Sequence, residues 1–168
     1  MPDTAIVQSF HQLLQEFSPC FTAPSFSSLL TLMVGWVLNL RRHSVTETVR
    51  AAGAVGLKDI TSFHRFFSRG RWLPDALGLV LVRLIVGHLL PADGPIAAVV
   101  DDSLSRHTGK RIAGAAMHRD PLASTAARVL FHWGHVWVVL GLNVTAFGKT
   151  WCLPVLARLY RTQKQCQR

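Results

Sequence analysis

Asp101, Asp102 and Ser103 are the residues whose chemistry is easiest to name. Two adjacent carboxylates repel each other, so the pair needs a compensating cation. A hard divalent ion such as Mg²⁺ takes carboxylate oxygens, and neighbouring Arg or Lys would serve as well. The plain alternative is an Asp pair that opens a turn and caps the next segment. The run Pro95 to Val100 leads straight into the pair and reads as a strand buried on both faces. A buried strand ending in Asp-Asp would present acid at the rim of a sheet, where α/β proteins keep their reacting groups. Strand alternation would send the two side chains to opposite sides, one toward a site and one in support. Downstream of Asp102 the single remaining side-chain carboxylate is Asp120. A two-metal site draws carboxylates from several elements, so this sequence is short of donors for one.

Other combinations carry less. Ser103, His107 and Asp120 hold the residue types of a nucleophilic triad, but nothing in their spacing supports it. His132-x-x-His135 has metal-ligand residue types, yet on a strand the two rings need not share a face. Gly109-Lys110-Arg111 lacks the other glycine and the Ser/Thr of a phosphate-binding loop, and reads as a basic loop touching a nucleic-acid backbone.

The charge balance points the same way. Eighteen Lys and Arg stand against nine Asp and Glu in 168 residues, a formal charge of +9. Such an excess fits an anionic partner, either nucleic acid or an anionic membrane face. Three apolar stretches, 26–40, 76–90 and 129–147, are short or interrupted by polar residues and Arg83, so no membrane span is expected. Cys20, Cys152 and Cys166 lack CxxC spacing and suggest reduced thiols in a cytoplasmic protein.

The positioning elements follow from periodicity. Residues 4–17 place Ile6, Phe10, Leu13, Leu14 and Phe17 on one helical face, and a second helix is expected from Ser25 or Phe26 to Leu40. Ser44 and Glu47 match a capping box, opening a short helix closed by Gly53 and Gly56. Asp59 or Thr61 would cap the next helix, and the two resemble a helix-turn-helix. That second helix sets His64, Arg65, Arg69 and Arg71 among Phe63, Phe66, Phe67 and Trp72. The mixture suits phosphate contact and base stacking, or else a solvated basic face over an aromatic core stripe. A helix from Asp75 to about Leu90 precedes the turn-rich Pro91–Pro95, the expected domain boundary. Residues 104–128 read as a long basic excursion, and 134–144 and 150–159 as strands joined by a turn at Phe147-Gly148-Lys149, hence antiparallel. Pro154 marks an edge or a bulge. The tail from Tyr160 shows no helix. Three strands with nothing afterwards to cover them would be the front part of a longer protein.

Taken together, Val100-Asp101-Asp102-Ser103-Leu104, Arg106, Thr108 to Gly114, His118-Arg119-Asp120 and Gly134 to Leu140 resemble bacterial insertion-sequence transposases of the DDE superfamily. Ser62 to Trp72 is similar to the segment that precedes the catalytic domain there. The resemblance implies an α+β chain: a helical DNA-binding region over residues 1–90, then the first three strands of an RNase H-like mixed sheet over 91–168. It implies that Asp102 is the first catalytic, metal-holding Asp, with Asp101 as the alternative, and that Ser103 stands where Thr is usual. Mg²⁺ or Mn²⁺ would be the cofactor. DNA at transposon ends would be the partner, contacted by His64, Arg65, Arg69, Arg71, Arg106, Lys110 and Arg111, with a full-length transposase or a second copy as a further companion. The later catalytic Asp and Glu of such sites are missing from this sequence, so the chain is expected to be inactive alone. The alternative is a non-catalytic DNA-binding module or an inhibitor of transposition.

Overall fold

The computed structural model describes residues 4–109 and 111–166 and is α+β. The chain divides into two compact units, Met1–Val80 and Leu81–Arg168.

The first unit is helical: α1 Thr4–Gln15, α2 Ala23–Leu38, α3 Val45–Ala51 and α4 Ile60–Arg69. Local chemistry sets its ends. The Ser44 hydroxyl accepts the Glu47 N–H at 3.3 Å, and Asp59 accepts the N–H and hydroxyl of Thr61. Only half of the expected capping box forms, because the Glu47 carboxylate turns to Arg50 at 2.8 Å. Leu32, Val49, Ala54, Phe63 and Phe66 form the core, with Phe21 and Trp72 packed against it. Phe66 stacks with Phe21 and Trp72 at centroid distances of 5.8 and 5.4 Å. Fully burying one such side chain contributes about 1.5–3 kcal/mol. Gly70 permits this packing, since a Cβ there would lie 2.4 Å from both the Phe66 carbonyl and the Trp72 indole nitrogen. The aromatics of 63–72 are therefore core, apart from the exposed Phe67. The basic residues between them face outward.

The second unit is a four-stranded antiparallel sheet with one covering helix. Its strands are β1 Ala98–Arg106, β2 Ala116–Arg119, β3 Phe131–Ala146 and β4 Lys149–Leu159. Long β3 is central. β1 follows one of its edges, and β2 and then β4 follow the other. Helix α5, Pro74–Leu89, begins in the first unit and packs its C-terminal half on the sheet, where Ile85 meets Leu142, Val144 and Val155. Pro154 causes a bulge, as its position suggested. Leu140 pairs with Leu156 and Gly141 with Pro154, leaving Val155 over and buried. Phe147 and Gly148 form a two-residue turn, both at positive φ (53° and 70°), the twist a tight hairpin needs.

Four expectations are corrected. Among the described residues the sheet has four strands and only antiparallel pairing, and part of the basic excursion, Ala116–Arg119, pairs with the start of β3. β1 is not buried on both faces but exposed along nearly its whole length. Among the described residues it has a neighbouring strand on one side only, and α5 covers the far end of β3. Asp101 and Asp102 lie in mid-strand and not at a strand tip, because the ladder with β3 runs on past them to the Arg106–Gly134 pair. The tail contains a short helix, α6 Gln163–Cys166.

Candidate functional site

The ladder decides where the two acids point. Asn143 N–H donates to the Ala97 carbonyl and His107 N–H to the Trp133 carbonyl, both at 2.9 Å. Odd-numbered β1 residues are thus the hydrogen-bonded pairs, and the Asp102 N–H points away from β3. The Asp101 carboxylate accepts that outward N–H at 2.8 Å. One acid satisfies the strand edge. The other makes no hydrogen bond or ion pair with any described residue.

Asp102 pairs with Val138 across the ladder and shares its face with Leu104 and Arg106. Both acids line a cleft of about 690 Å³ together with Leu104, Arg106, Asp120 and Leu122. Asp120 sits just past the end of β2 and is almost fully buried. Its Oδ1 accepts the Ala123 N–H at 2.9 Å, and its Oδ2 accepts from Arg106 Nε at 2.9 Å. His132 Nδ1 lies 3.1 Å from Oδ2. The Ala123 amide, then the bonded charge of Arg106 and nearby His132, hold the Asp120 carboxyl below the usual carboxylate range against the opposing effect of burial. Asp120 is therefore a fixed anion locked to Arg106, and Arg106 is half-exposed with one edge committed.

The histidines divide as strand alternation requires. His132 faces Asp120. His135 Nε2 donates to the Ala113 carbonyl at 2.9 Å, and its Nδ1 lies in hydrogen-bond contact with His107 Nε2 at 3.0 Å. HxxH is not one ligand pair, and Ser103, His107 and Asp120 do not form a relay. Among the described residues, no three His, Cys, Asp or Glu side chains converge as a metal site. Consecutive on one strand, Asp101 and Asp102 leave from opposite faces, and together with Asp120 they do not complete a centre for a hard cation among the described residues.

The basic residues gather elsewhere. Arg65, Arg69 and Arg71 line a second cleft, about 390 Å³, between the start of α2 and α4. Lys58, Ser25, Ser28 and Ser62 line it too, and no sequence motif marks them because they come from separate segments. His64 is exposed on α4, and Arg111, in the basic loop, is exposed too. Lys110 lies outside the described residues.

No single helix among the described residues is long and apolar enough to cross a membrane. No curated protein and no solved structure gave a match. The family model described as DDE superfamily endonuclease matches residues 16–167, nearly the whole chain with the Asp101-Asp102 strand inside it, and the chain belongs to that family.

Proposed function

We propose that this chain binds DNA through the basic side chains of its helical unit and contributes Asp102 to DDE-type strand cleavage and transfer. Residues 1–90 would be the DNA-binding region and 91–168 the catalytic one. The observation that carries the reading is the mid-strand Asp102 carboxylate. It is unpartnered among the described residues and opens on a cleft, within a chain of the DDE endonuclease family. A divalent cation, Mg²⁺ or Mn²⁺, would supply charge to activate an attacking oxygen and stabilise a leaving one. Asp101 keeps the strand edge satisfied beside it. Arg106 and Asp120 hold the cleft wall in a fixed, charge-matched geometry.

A second reading, binding without cleavage, is favoured by the donor set. Two adjacent acids and a third locked to arginine do not complete a metal centre among the described residues. We adopt it for the chain acting alone. Incubation with supercoiled plasmid and Mg²⁺ or Mn²⁺ should retard the plasmid in a gel without nicking it. Nicking that disappears in Asp102→Ala would replace this reading with the enzymatic one. Absence of any retardation would remove both.

A further inference from the structure

We infer that the cleft between α2 and α4 is a socket for a single phosphate of a nucleic-acid backbone, and that Lys58 is its organising residue. The inference rests on the DNA-binding reading above and specifies the site for it.

The attraction is electrostatic. Helix α2 has 16 residues, and its first turn contains no acidic side chain. Thr22, its N-cap, makes no side-chain cap; the hydroxyl donates instead to Ser25 Oγ at 3.1 Å. The first intrahelical bond is that of Phe26 N–H to the Thr22 carbonyl, so the Ala23 and Ser25 amides precede the ladder at the positive end of the helix. That end ought to attract an anion. Here it is ringed by Lys58, Arg65, Arg69 and Arg71, with no carboxylate among the described residues of the lining.

Among the described residues, Lys58 is held in this position by neutral oxygens alone. Its ammonium donates to the Pro24 carbonyl at 3.2 Å, to Ser28 Oγ at 3.2 Å and to Ser27 Oγ at 3.4 Å. These bonds fix the ammonium without cancelling its charge. The three arginines form no ion pair with described residues. Four cations and a helix N-terminus on one small cleft repel one another until an anion enters. A phosphate fits chemically: it accepts from guanidinium forks, hydroxyls and backbone amides at once.

The test uses the full chain and a labelled DNA duplex of about 20 base pairs, titrated over a range of salt. Lys58→Met and Arg69→Ala should each weaken binding and make the log–log salt dependence shallower by up to about one unit, the release expected for one phosphate. The double variant should lose about one unit as well, because both cations serve the same phosphate. Lys58→Arg should keep the wild-type slope, and circular dichroism checks that each variant folds. A double variant losing about two units would overturn the single socket. Unchanged slopes in both single variants, with wild-type duplex binding intact, would overturn the cleft and leave the DNA reading standing. Inorganic phosphate, followed by its ³¹P resonance, separates the remaining case. Phosphate binding that needs Lys58, in a protein that ignores the duplex, would overturn the backbone as the source and the DNA reading with it.

Discussion

The two units treat charge in opposite ways. In the helical unit, Arg65, Arg69, Arg71 and Lys58 crowd one cleft with no acid among its described lining residues. In the sheet unit, the buried acid Asp120 is met by Arg106, the Ala123 amide and His132. The difference is one of solvent. A buried charge must be matched within the fold, since desolvation penalises it otherwise. Exposed like charges are tolerated because water and salt screen them, and they stay available to an outside partner. Asp102 belongs with the bare set although it sits on the sheet.

The strongest way to break the contrast is to remove the scaffold under the bare cations. Phe63 is the fully buried residue on the inner face of α4, and Phe63→Ala should cost about 3–5 kcal/mol of stability. Denaturant unfolding measures this, and salt-sensitive DNA binding should weaken with it. A cost below about 1 kcal/mol would mean that α4 is not held by this core. The matched side is tested by Asp120→Asn. The folded-state carboxyl titrates below its unfolded value, so Asp120 contributes stability that is complete above about pH 4 and lost as pH falls through the lower folded value. The variant should be less stable near neutrality and should show a flatter fall on acidification. Identical acid limbs for variant and wild type would contradict the role given to Arg106 and Ala123. The smallest effect is expected at the hairpin, at the opposite end of β3 from Asp120. Phe147 is 98% exposed and holds a positive φ. Phe147→Asn places Asn before Gly148, the preferred pair for such a turn, and should raise stability by about 1 kcal/mol or less while leaving DNA affinity unchanged. A fall in stability would show that the exposed ring packs on something.

Local signals alone determined much of this protein. Ser44 and Asp59 cap helices because their side chains reach backbone amides two or three residues on. Gly148 marks the hairpin because the turn needs positive φ, which glycine takes without steric cost and Phe147 does not. Pro154 bulges its strand because it has no N–H to give the ladder. The Asp101-Asp102 strand and the order of motifs around it were enough to mark the DDE family. Tertiary structure decided whatever depends on neighbours distant in sequence. Burial of β1 could not be read from its apolar run, because exposure depends on which strands and helices lie beside it, and among the described strands only β3 does. Asp120 looked like a loose acid in a basic loop until the fold brought Arg106 and His132 to it. Lys58 carried no signal of its own, because charge repulsion at a helix end is a property of assembled segments and not of any one of them.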